Sequence, residues 1–300
     1  MLEAYTNSFQ IAKKIRPFVN KVIIADTRKL KIISITNKKT DKVNAEKIAR
    51  ILKIQTISKE NLVNEVYIPS EEIQSLRSLF TTYKLFSGSP VSLKNRLHSM
   101  LKENLIVFPR FQMSKKKKTE ILNLDLSTSL RFQIELLVEE FDSLEDRKSK
   151  SESQIKLVGK SCYNEIELLT SIEGISILSA LVIMADACDI TRFPNKKHLC
   201  SYLRSAPAVA SSNESTIIKR KNKSSRKLTM NFLTQSVVHF KRGNPKLKSW
   251  YEMKTKNTRK GKIRMATCRK IITQIYCILK NEEYDVFLKK NCIDLQINAA

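Results

Sequence analysis

The residues with most chemical potential in this chain lie in the stretch APAVASSNESTIIKRKNKSSRK, from Ala206 to Lys227. Two adjacent serines, Ser211 and Ser212, precede a run of cations that includes Lys219, Arg220, Lys221, Arg226 and Lys227. A serine hydroxyl attacks a phosphodiester when it can shed its proton and when positive charge stabilises the phosphoryl transition state. The basic residues could supply that field. Serine is equally an ordinary loop residue, and a basic run equally serves as a contact surface for phosphate backbone, so residue types alone leave both readings open.

The charge balance favours a phosphate-bearing partner. Lys and Arg number 55 against 29 Asp and Glu, a formal charge of +26. That exceeds what solubility requires and fits a polyanion, with nucleic acid the leading candidate. From Ser215 to Lys280 the only acidic residue is Glu252. Lys94 and Arg96 in the first half, and Lys262, Arg264 and Arg269 near the end, suit salt-sensitive binding of a nucleic-acid backbone. Trp250 and Tyr251 could stack on bases, although core packing is the favoured reading of such a pair.

Other classes fall away. No apolar run approaches the roughly 20 residues of a membrane span, and no basic-then-apolar segment follows Met1, so the sequence reads as cytoplasmic with no membrane partner. The six cysteines contain no C-x-x-C pair and the three histidines stand far apart, which excludes a zinc ribbon or finger and points to reduced, mostly buried thiols.

These residues need elements to position them. Val22–Ala25 and Ile32–Ile35 are short and β-branched and read as strands, followed by a helix from about Asp41 with Ala45, Ile48, Ala49 and Leu52 on one face. Alternating strands and helices imply an α/β first domain. After Ile68-Pro69-Ser70, apolar spacing predicts two amphipathic helices, one through Ile73 and Phe80 and another through Leu93 and Leu105. Lys115–Lys118 reads as a solvated loop or phosphate contact. Leu126, Leu130, Ile134, Leu137, Phe141 and Leu144 then step by four and three, and the seam resumes at Ile155. This predicts a long helical connector or antiparallel coiled-coil pair, with either a dimer or tetramer or the chain's own domains covering the seam. Ser171–Ser176, with Gly174, predicts a turn before the apolar helix Ile177–Ala187, similar to a helix-hairpin-helix element whose helix N-terminus could hold a phosphate. The remainder reads as helical.

The order of motifs carries a resemblance. MLEAYTNSFQIAKKIRP, KKTDKVNAEKIARIL, EVYIPSEEIQSLRSL, SLKNRLHSML, SIEGISILSALVIMADACDITRFPNKKHLCSYL and SAPAVASSN together resemble the IS one-ten family of bacterial insertion-sequence transposases, over nearly the whole chain. The resemblance implies a RuvC-like (RNase H-like) α/β domain over about 1–110 carrying a DEDD acidic set, a helical coiled-coil connector over 111–165, and a mainly α transposase domain over 166–300 carrying a nucleophilic serine. It further implies DNA cleavage and rejoining, guidance by a bridge RNA, Mg²⁺ as cofactor and a homo-oligomeric assembly. Carried over by position, Glu3 matches the second acid, Asp41 the third and Asn44 the fourth, while the first would lie upstream of Met1, so an N-terminally truncated first domain is expected. Ser212, five positions after Pro207, is the best match to the nucleophile, with Ser211 next. The family has Gly after that serine, where this chain has Asn213. Decay to a chain that only binds nucleic acid is the alternative.

Overall fold

The computed structural model describes residues 1–26, 40–59, 62–108, 113–206, 208–212, 215–219 and 228–283. The described chain is mainly helical and divides into two compact units, Met1–Ser70 and Glu71–Ala300.

In the first unit, β1 (Leu2–Glu3) runs parallel to β2 (Ile24–Ala25), with Leu2 opposite Ile24, and α1 (Ser8–Ile15) lies in the crossover that parallel pairing requires. Asn64 and Val66 extend the pairing on the other side of β2, where Ala25 bridges Glu65. The predicted strand at Val22–Ala25 is present in part; Ile32–Ile35 lies outside the described residues. The helix expected from Asp41 is α2 (Asp41–Ser58), capped by Thr40, whose hydroxyl accepts from the Val43 amide. Its buried face is carried by Ile48 and Ile51, while Ala45 and Ala49 are exposed. A small core of Ala25, Ile51 and Val63, with Met1 against it, holds the unit together.

In the second unit, the two expected helices are one: α3 runs unbroken from Glu71 to Glu103, with Pro90 inside it. Proline removes a helix hydrogen bond and normally interrupts. Here the hydroxyls of Ser87 and Ser89 donate to the carbonyls of Tyr83 and Leu85, and buried residues on both sides of Pro90 commit the helix to one direction. After α4 (Lys115–Leu122) comes α5 (Thr128–Val158), antiparallel to α3: Leu97 and Leu101 meet Leu130 and Ile134 in one cluster, and Ile73 and Leu76 share another with Ile155. The stepped apolar seam is therefore covered by the chain's own helix. Each fully buried Leu or Ile in it contributes about 1.5–3 kcal/mol.

The lysine run is not a loop. Lys115–Lys118 forms the first turn of α4, capped by Ser114; Lys117 pairs with Glu120, and Lys118 pairs with Asp142 and lies over the Phe141 ring. Four cations at a helix N-terminus oppose the helix dipole; the acidic partners and the buried Ile121 offset that cost.

Next come α6 (Tyr163–Thr170), α7 (Ile177–Ala187), α8 (Lys196–Tyr202), the hairpin β3 (Ala208–Ser212) and β4 (Ser215–Lys219), and then α9 (Leu228–Gly243), α10 (Pro245–Asn257) and α11 (Lys260–Asn281). α7 is buried along its length from Ser179 and forms the centre of the main core, in which Leu181, Leu233, Ile272 and Ile275 are fully enclosed. A helix apolar all round belongs in such a position. The expected turn before it is present: Ser176 caps α7, accepting from the Ser179 amide, and Gly174 sits at φ +96. No helix among the described residues is long and apolar enough to cross a membrane.

Candidate active site and nucleic-acid interface

The serines that opened the sequence reading lie on a strand. β3 and β4 pair antiparallel, Ser211 opposite Thr216 and Ser212 opposite Ser215, which places Ser212 at the turn end of the hairpin. Lys219 pairs with Ala208 at the other end. At the usual strand rise of ~3.4 Å per residue, four residues separate Lys219 from the level of Ser212 by about 14 Å. Lys219 therefore stands at the root of the hairpin and Ser212 at its tip. Arg220, Lys221, Arg226 and Lys227 lie outside the described residues, as do Asn213 and Glu214, the carboxylate nearest to Ser212 in sequence.

The root is fixed by α11. Ser205 is buried, its amide and hydroxyl both donate to the Cys200 carbonyl, and its own carbonyl accepts from Nε and Nη2 of Arg269 at 3.1 and 2.9 Å. Arg269, expected to touch nucleic acid, is thus engaged at the entry to β3. Lys262 and Arg264, in the first turns of α11, are exposed and available to phosphate. Lys94 is half-buried on α3; Arg96 is exposed and 3.7 Å from Glu103.

The aromatic pair follows the core reading. Tyr251 is buried beneath Lys241, and Trp250, half-buried, carries Lys270 over its ring at 4.6 Å.

Sequence reasoning missed the polar group that anchors the exit from the hairpin region. Asp186, buried in α7, accepts from the Thr229 amide at 3.1 Å and its hydroxyl at 2.7 Å, capping the first turn of α9. The signal was a lone acid in the apolar run ILSALVIMADA. Arg77 on α3 closes the same C-terminal end of α7, donating to the carbonyl of Ala185 at 2.7 Å.

In the first unit the structure does bring two expected residues together. Glu3 and Asn44 line one cavity of 390 Å³, along with apolar Leu2, Ala45, Ile48 and Leu52. Asn44 lies three residues beyond Asp41, one turn along α2. The cavity's described donors are one carboxylate and one neutral amide, fewer charged oxygens than a hard divalent ion prefers. Among the described residues, no three or more His, Cys, Asp or Glu side chains converge as a metal site.

Residues 166–252, from α6 into α10 and including both serines, match the model of the Transposase IS116/IS110/IS902 family. This segment is similar to the transposases of that family. Against the curated proteins the chain finds no match. The family implies interaction with DNA. Within the matched segment lie the central helix α7, its Gly174 turn, Asp186 and the hairpin; α11, which braces the hairpin root through Arg269, lies beyond it.

Proposed function

We propose that the chain is an insertion-sequence DNA transposase that cuts and rejoins strands through Ser212, assembled as an oligomer on DNA and a guide RNA. The observation that carries this reading is the position of Ser212 at the tip of a braced hairpin inside the segment that matches the transposase family. In the first step the serine oxygen displaces a deoxyribose oxygen at phosphorus, and the serine proton ends on that leaving oxygen. In the second, a strand hydroxyl displaces the serine. One phosphodiester is conserved throughout, so no external energy source is needed. The chain's cations hold the backbone and offset charge at phosphorus.

A divalent ion held by Glu3, Asp41 and Asn44 in a RuvC-like first domain is the remaining part of the reading, and no step above is routed through it. A second reading, a chain that binds nucleic acid without cutting it, is favoured by one observation: position 44 offers an amide where the family set has an acid.

The test is to incubate the full chain with the element's DNA ends, candidate guide RNA and Mg²⁺, and to look for a covalent protein–DNA adduct on denaturing gels. An adduct that disappears in Ser212→Ala supports the serine mechanism. No adduct, with binding intact, leaves the second reading.

A further inference from the structure

The chain has one tryptophan, Trp250. It packs against the main core from α10 yet is only half-buried, and the ammonium of Lys270, itself exposed on α11, lies over its ring at 4.6 Å. A cation over a solvent-facing ring is held more weakly than a base stacked there. Lys270 therefore covers the indole without sealing it.

Cations continue along both helices from this point. Lys246 and Lys254 stand four residues to either side of Trp250, about one turn each way, and Met253, 57% exposed, stands three beyond it. On α11, Lys262 lies two turns before Lys270 on the same side. All four lysines are exposed. Only Thr258 and Arg259 join α10 to α11, so the chain folds back, and the contact of Lys270 with Trp250 sets the two rows side by side. Glu252, the only acid between Ser215 and Lys280, is two residues from Trp250 and lies on the opposite side of α10.

Four cations around one aromatic ring suit a polyanion whose bases can stack. In a duplex each base face is covered by its neighbours until the nucleotide leaves the stack, and contact with duplex phosphates needs no ring. An unpaired strand meets both parts of the face, its phosphates the lysines and a base the indole. A strand that is cut and rejoined elsewhere must first leave its complement. Arg269, the residue before Lys270, holds the root of the serine hairpin.

We propose that the α10 and α11 face is a binding site for unpaired DNA, in which one base displaces Lys270 and stacks on Trp250 while Lys246, Lys254, Lys262 and Lys270 take the phosphates. The choice of DNA rests on the strand-transfer reading above; the stacking site itself rests on the residues.

Because Trp250 is the only tryptophan, its emission reads the site directly. The test titrates the full chain with oligothymidylate of ~12 nucleotides, within the span of single-strand sites, and in parallel with a blunt DNA duplex and with oligouridylate of the same length. Oligothymidylate should quench the emission, and protect it from acrylamide, at lower concentration than either of the others. Lys246→Ala and Lys254→Ala, both at exposed positions and neutral to folding, should each lower the slope of log affinity against log salt by about 0.7. Trp250→Leu should weaken oligothymidylate binding about 5- to 150-fold, the span for one lost stack, and Trp250→Phe less. Thermal melts check that both tryptophan variants fold; if either does not, the emission titration and the lysine variants decide. Oligothymidylate binding without a change in emission overturns the site, as does equal quenching by the duplex, and both results leave the chain a nucleic-acid binder. Quenching by oligouridylate at lower concentration overturns the assignment to DNA. Quenching by oligothymidylate in a chain that forms no Ser212 adduct supports the site and overturns strand transfer.

Discussion

Arg269 on α11 and Ser205 at the entry to the serine hairpin are joined by two hydrogen bonds to a single carbonyl, at 3.1 and 2.9 Å. A guanidinium donating to a buried carbonyl does more than attract phosphate; it fixes where β3 begins. Lys262 and Arg264 on the same helix are exposed. Arg269→Ala should lower stability by about 1.5–3 kcal/mol, the range for a hydrogen bond to a charged group, and should depress adduct formation more than DNA affinity. Lys262→Ala and Arg264→Ala should leave the melting temperature unchanged and each reduce the slope of log affinity against log salt by about one. Thermal melts and salt titrations of the three variants make the comparison.

Gly174 has φ +96, and a Cβ there would lie 2.7 Å from a ring carbon of Phe240 and 3.0 Å from that residue's backbone nitrogen. Both a positive φ and a backbone neighbour oppose any side chain. Gly174→Ala should therefore cost about 2–4 kcal/mol, combining backbone strain with overpacking. Gly88 and Gly261 are helical, and a Cβ at either meets nothing within 4 Å. Alanine at these two positions should stabilise by about 0.5–1 kcal/mol. Equal losses at all three in urea titrations would contradict this account.

Asp186 and Thr229 join the central helix to the start of α9 inside the core. Thr229→Val keeps the shape but removes the hydroxyl that donates to Asp186 and the Val182 carbonyl. The expected loss is about 1–3 kcal/mol, because a buried carboxylate gives up one of its donors. Asp186→Ala should cost more, since it leaves the Thr229 amide and hydroxyl buried with less to bond. Chemical denaturation of both variants ranks them; a larger effect for Thr229→Val would show that the carboxylate matters less than the link to Val182.

How far the sequence could be read depended on whether a residue's role was local. α7 and the turn before it were legible because turn glycine and apolar run are adjacent in the chain. In α11, Cys268, Ile272, Ile275 and Leu279 are buried at helical spacing, a pattern of the same local kind. The unbroken α3 was not legible, since Pro90 signals a stop and what carries the helix past it is packing by residues of α5. The lysine run was misjudged for the same reason: Asp142, which pairs with Lys118, is 24 residues away. Ser212 could be named as a candidate from its neighbours, yet its position at the hairpin tip, away from Lys219, came from strand register. The bond from Arg269 to Ser205 has no sequence signal.

The thiols provide a pH test. Burial is the main cause holding the Cys162 thiol above its ordinary 9.0, only partly offset by a hydrogen bond with Ser161, and burial likewise raises Tyr83 above 10.0. In both cases the folded chain retains a proton that the unfolded chain has released. Stability from these groups is thus fully present below pH 9.0 and falls as pH rises above it, Cys162 first and Tyr83 after. Cys162→Ala should flatten the first part of that alkaline decline, while lowering stability at neutral pH through lost packing. Among the described cysteines, Cys277 is exposed and Cys162, Cys188, Cys200 and Cys268 are buried. A maleimide at neutral pH should therefore modify Cys277 well before those four, because access favours it. Peptide mapping of a time course reads the order, and early labelling of Cys162 would contradict both its burial and its raised pKa.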